Sequence, residues 1–171
     1  MAYLSNSPPL KGIMDAGISQ VVQIAADSDH NVVIQSMTES GVMKNVMSME
    51  EQIRNYKVLI DIDGNSNSWE GTFWKLLSNS VTVKIECSYH QWYYYQFEPW
   101  KHYVPVRCDL SDLARNTLWA LAPENKEKVT EMVKSSTDLI DAITYEGSID
   151  EFVQKFREYV IVPSEHPIVK L

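Results

Sequence analysis

Hydrophobic positions along the chain change period several times, and each change marks an element. Between Lys11 and Gln35 the apolar runs "GIMDAGI", "VVQIAA" and "NVVIQ" are short and broken by Asp, Ser and His, a pattern of loops and short elements. The start before them, with "SNSPP", is polar and proline-rich and reads as a lead-in. Ser48 followed three residues later by Glu51 is a capping box and predicts a short helix over residues 49–55. Val58, Leu59, Ile60 and Ile62 form a nearly continuous apolar strand, as expected for one buried on both faces of a parallel sheet. Trp69, Phe73, Leu76 and Leu77 then take helical spacing over 69–79, and "VTVKIE" (81–86) is the next strand. The aromatic stretch "HQWYYYQFEPW" surrounds a predicted helix, "YVPV" (103–106) makes a third strand, and a helix begins near Asp109 or Ser111.

The remainder is helical. Val129, Met132, Val133, Leu139, Ile140 and Ile143 lie largely on one face, with Pro123 suited to the first turn of that helix. Ser148 and Glu151 make a second capping box ahead of Ile149, Phe152, Val153 and Phe156. Strand and helix alternate from 56 to 121, which requires right-handed parallel crossovers. The class is α/β: a Rossmann-like parallel sheet with flanking helices, one domain over 1–171 with a helical C-terminal extension from about 123 to 171.

Composition narrows the partners. A chain of 171 residues with 44% apolar content builds one core but is thin for two. A formal charge of −8 repels a polyanion and no Lys/Arg run offers an exception, so nucleic acid is not an expected partner. No stretch approaches a membrane span, and the first residues lack the basic start and apolar core of a secretory signal. The cytoplasm is favoured; a secretory-pathway lumen is the alternative for a piece of a longer chain. Cys87 and Cys108 lack metal-ligand spacing and read as buried free thiols. His30, His90, His102 and His166 show no such spacing either, and His102, between Trp100 and Tyr103 in "PWKHYVPV", reads as packed and hydrogen-bonded.

The corner after the first strand is where chemistry is expected, since ligands of open α/β sheets gather at the carboxyl ends of strands. Asn65, Ser66, Asn67, Ser68 and Thr72 can hydrogen-bond phosphate or sugar hydroxyls, and a helix starting near Trp69 adds backbone donors. The same residues also suit plain helix capping. Asp61 and Asp63 form a D-x-D able to hold a divalent metal; the competing reading has Asp61 buried and accepting backbone hydrogen bonds, with Asp63 opening the turn. G-x-G-x-x-G, the phosphate loop and G-x-S-x-G are all absent. The aromatic run from Tyr89 to Tyr103, including Trp92 and Trp100, is either a platform for a sugar or base, or core.

"YKVLIDIDGNSNSWEGTFWKLLSNSVTVKIE", "WYYYQFEPWKHYVPVRCDLSDL" and "ITYE" resemble, in one order from about Met14 to Tyr145, the glycosyltransferase family 90 proteins. That family includes capsule-associated enzymes, Rumi-type protein O-glucosyltransferases and lipopolysaccharide-modifying relatives. The resemblance implies the C-terminal, donor-binding half of a two-domain GT-B hexosyl- or pentosyltransferase. Its donor is a nucleotide sugar, usually a UDP-sugar, with no cofactor and no obligatory metal, and its acceptor is a glycan or protein hydroxyl. It implies donor contacts at Asn65, Ser66, Asn67, Ser68, Trp69, Gly71 and Thr72. Many relatives carry an arginine just before the helix Phe, where this chain reads Gly71-Thr72-Phe73, so backbone N–H groups or Lys75 must supply the missing charge. The family's acceptor domain, with its catalytic base, has no counterpart here. No catalytic residue is therefore assigned, and a second chain or an N-terminal domain is an implied partner. The rivals are a non-catalytic partner module and a metal-dependent GT-A-like transferase using Asp61 and Asp63.

Overall fold

Three short parallel strands, β1 (Val58–Asp61), β2 (Val81–Glu86) and β3 (Val104–Arg107), lie side by side in that order in the computed structural model. It describes residues 1–22, 24–64 and 66–160; the expected extension beyond 160 and His166 lie outside them. Val58 pairs with Val81 and Asp61 with Lys84 in the first ladder, and Val83 pairs with Val104 and Glu86 with Arg107 in the second. The helices are α1 (Ala2–Ser5), α2 (His30–Glu39), α3 (Met49–Asn55), α4 (Trp69–Leu77), α5 (Leu113–Leu121), α6 (Lys126–Ala142) and α7 (Tyr145–Val160). Among the described residues, none is long and apolar enough to cross a membrane.

Alternation along β2 divides its residues between two environments. Val81, Val83 and Ile85 cluster with Val104 and Val106 of β3, Leu113 and Ala120 of α5, and Met132 of α6. Thr82 and Lys84, also buried, lie on the opposite side. A second cluster joins Leu76 of α4, Tyr93, Phe97, Tyr103 and Ile140 of α6, and the Ser136 hydroxyl of α6 donates to Leu76 O at 3.1 Å. The α/β class and the parallel crossovers are as the sequence predicts.

Several boundaries differ from expectation, each for a local reason. The first strand stops at Asp61, and Ile62 is exposed beyond it. The aromatic stretch holds only a 3-10 turn, Tyr94–Gln96. Bulky rings disfavour helix and the residue before Pro99 is steered to extended backbone, while Tyr93 and Phe97 are buried edge-on against each other in the second cluster. The helix near Asp109 begins at Leu113, because Asp109 accepts from Ser111 N and Asp112 turns its carboxylate back to Arg107 N. Pro123 opens a 3-10 turn that runs into α6. The second capping box does not form. Thr144 Oγ1 already accepts from Gly147 N, so α7 starts at Tyr145, Ser148 donates to Thr144 O, and Glu151 pairs with Lys155. The lead-in is part of the core too, through Leu10.

Trp100 shows how mixed the aromatic run is. It is 48% exposed, turns in the left-handed region at φ +64°, and meets Trp119 edge-on at 5.0 Å. Trp100→Ala is expected to lower stability by about 1–2 kcal/mol, below the cost of a fully buried ring, because half its surface stays wet. Urea denaturation reads this directly; a loss above about 3 kcal/mol would mean the ring is enclosed in solution.

Candidate functional site

At the carboxyl end of β1 the chain bends through Ile62, Asp63 and Gly64 and enters α4. Asp63 accepts from Ser68 N at 2.8 Å, Gly64 N donates to Ser66 O, and Trp69 N donates to Asn67 O. These bonds close a tight corner from short polar residues, as Asp and Ser in turns are suited to do. A Cβ at Gly71 would come within 2.3 Å of Ser68 Oγ, so any side chain there would turn the Ser68 hydroxyl away from its present position. The indole Nε1 of Trp69, a largely exposed ring, donates to Ser66 Oγ at 3.3 Å.

Two groups of hydrogen-bonding capacity stay open. Among the described residues, Glu70 N and Gly71 N, in the first turn of α4, receive no carbonyl, and Ser68 gives no side-chain cap. Asn67 Oδ1 accepts from Gln91 Nε2 at 3.3 Å, yet Asn67 Nδ2 is buried without a partner among the described residues. A groove of about 620 Å³ adjoins this turn, lined by Trp69, Glu70, Phe73, Trp74, Trp92 and Tyr93 among others. Burial pushes the Tyr93 hydroxyl up to about 12, helped by Tyr94, so it stays a neutral donor.

Beneath the corner lies a buried charge cluster. Asp61 is fully buried; Lys75 Nζ donates to its Oδ1 at 2.8 Å, while Lys84 Nζ at 2.9 Å and Thr72 Oγ1 at 2.8 Å donate to its Oδ2. Register makes this possible, because Asp61 and Lys84 are paired across the β1–β2 ladder. Burial is the largest single influence on Asp61 and pushes its carboxyl upward, but the attraction of Lys75 and Lys84 outweighs it and holds the group below the usual range. Lys84 mirrors this: burial disfavours its charge, and Asp61 more than restores it. Lys84 Nζ also sits 4.7 Å from the centre of the Tyr94 ring. Two ammonium groups on one carboxylate leave the cluster with one net positive charge.

The expected site residues therefore separate into two sets. Ser66, Asn67, Ser68, Trp69 and Gly71 meet at the corner, Thr72 and Lys75 are drawn under it onto Asp61, and Asn65 lies outside the described residues. Asp61 is held by side-chain cations where backbone hydrogen bonds were expected, and Asp63 opens the turn as expected. Lys84, Tyr94 and Gln91 are participants that sequence reasoning missed. The signal for Lys84 was a lysine inside an otherwise apolar strand, which demands an acid partner. His102 is packed as expected: it is buried, its Nδ1 accepts from Glu98 N at 2.9 Å, and desolvation lowers its pKa. The cysteines differ from expectation, since Cys87 is only partly buried and Cys108 is exposed. They follow the last residues of β2 and β3, where the sheet opens to solvent.

Comparison with known proteins bears on this corner. The family model for glycosyl transferase family 90 matches residues 17–162. Protein O-glucosyltransferase 3 of Homo sapiens is 34% identical over 79 residues, which cover 46% of this chain and 15% of that protein. Protein O-glucosyltransferase 2 of Danio rerio is 34% identical over 73 residues, 43% of this chain and 14% of the relative. An uncharacterized protein, 179R, of Invertebrate iridescent virus 6 is 28% identical over 114 residues, 63% of this chain and 9% of its own length. The matched stretch is a small part of each relative.

Proposed function

This chain belongs to glycosyl transferase family 90, and from that membership we propose that it is the Rossmann-like, donor-binding half of a two-domain GT-B glycosyltransferase. In this reading it holds a UDP-sugar by its diphosphate at the first turn of α4. The observation that carries the reading is hydrogen-bonding capacity left unfilled among the described residues: Asn67 Nδ2, and the Glu70 and Gly71 amides in the first turn of α4. A helix N-terminus of this kind favours an anion. Asn65, Ser66, Asn67, Ser68 and Gly71 contact the diphosphate and its sugar, and Trp69 offers a ring face to the base. Thr72 and Lys75 act through Asp61, whose cluster contributes the positive charge that the arginine supplies in other members. Helices α6 and α7 complete the same unit as its C-terminal extension.

In this reading the reaction is a displacement at the anomeric carbon. A glycan or protein hydroxyl attacks the anomeric carbon while a carboxylate on a second domain or chain takes its proton. The bond from that carbon to the diphosphate oxygen breaks, and the charge released meets fixed donors at α4. A non-catalytic partner module is the second reading. It is favoured by one observation, that the Thr72 hydroxyl and the Lys75 ammonium are already engaged by Asp61. A D-x-D metal site is weakened on the same ground, because Asp61 has both oxygens on protein donors.

Calorimetric titration with UDP and UDP-glucose, with and without Mn²⁺, separates these readings. Binding without metal is expected, and Asn67→Ala is expected to weaken it about 5- to 30-fold, with Ser68→Ala in the same direction and the urea midpoint unchanged. Unaltered affinity in both variants would remove the corner from the site. No binding by the parent chain would leave the partner module, and binding only with Mn²⁺ would restore the acidic pair.

A further inference from the structure

We propose that Cys87 and Cys108 are an oxidisable dithiol that closes to an intramolecular disulfide across the open ends of β2 and β3. The chain has two cysteines, 20 residues of sequence lie between them, and the fold brings their sulfurs to 3.2 Å. Glu86 pairs with Arg107 in the parallel ladder, so the next residue on each strand is Cys87 opposite Cys108. Neighbouring strands run about 4.8 Å apart, inside the roughly 4.4–6.8 Å Cα separation a disulfide requires. Neither thiol has been sequestered as a core residue, since one is partly buried and the other exposed.

The order of the two steps follows from access. Cys87 is partly buried and packs against the core cluster, whereas Cys108 is exposed. Cys108 therefore attacks first. Its thiolate displaces one half of a small disulfide such as oxidised glutathione, and the departing thiolate takes up a proton. Cys87 then gives its proton to solvent and attacks the Cys108 sulfur, expelling the second glutathione thiolate. Two protein thiols are oxidised and one glutathione disulfide is reduced to two thiols. The product is a covalent loop around the aromatic segment, which includes Gln91, the residue bonded to Asn67.

The bond itself does not depend on the donor reading, and its test contains no nucleotide. The reduced full chain is incubated with glutathione redox mixtures and read by intact mass and non-reducing electrophoresis. A monomer that loses about 2 mass units and both titratable thiols is expected. Cys87→Ser should trap a lasting glutathione adduct on Cys108, whereas Cys108→Ser should react far more slowly. Glutathione adducts that persist on the parent chain without that mass loss, or disulfide-linked dimers as the main product, would overturn the proposal.

Discussion

Asp61→Ala is expected to destabilise the fold by about 3–5 kcal/mol, measured by urea denaturation near neutral pH. The cost does not come from the lost pair as such, since an intact buried ion pair contributes little net stability. It comes from what is left behind: Lys84 is buried under the sheet with its ammonium 2.9 Å from the deleted carboxylate, and Lys75 is nearly as enclosed. Lys84→Met in the Asp61→Ala background should therefore recover part of the loss, because it removes the stranded charge. A single-variant loss below about 1 kcal/mol would mean that water already reaches the cluster.

The same cluster sets an acid limb. The folded Asp61 carboxyl is depressed, so its contribution is fully present above the unfolded value of about 3.9 and is lost as pH falls through the folded value. Asp61→Asn should be less stable than the parent at neutral pH, and the gap should close as the pH is taken below that range. A gap constant with pH would detach Asp61 from the acid transition.

Ile85→Ala should cost about 2–5 kcal/mol with little change in the urea slope. Ile85 is 1% exposed near the carboxyl end of β2, the central strand of the sheet, paired with Val106 in register and clustered with Leu113 of α5. A strand hydrogen-bonded on both sides cannot shift to refill the space, so the cavity persists. Ile85→Val, which removes one methylene, should cost only about 0.5–1.5 kcal/mol. Equal costs for the two variants would show that the region collapses around the gap.

The elements that were legible in the sequence are those whose cause is local. Ser48 and Glu51 make both bonds of their capping box, and α3 begins where they place it. "VTVKIE" is a strand over its whole length, because alternating β-branched residues suit a pleated, buried surface. The same capping pattern at Ser148 and Glu151 fails because Thr144, one turn earlier, competes for the amide that starts the helix. The aromatic run was ambiguous for a different reason: ring after ring carries no period, so its 3-10 path was set by which rings the neighbours α4 and α6 could bury.

Sequence alone determined the α/β order, the parallel crossovers and the polar corner after β1, since each rests on patterns along neighbouring residues, and its resemblance to known proteins pointed to the family that the family model shows. Tertiary structure decided that Lys75 and Lys84, 14 and 23 residues away, converge on Asp61, and that two cysteines at different strand ends come into contact. The Lys84 and cysteine contacts follow from the register of a parallel sheet, and the Lys75 contact from how α4 packs beside β1; neither is written in any one element.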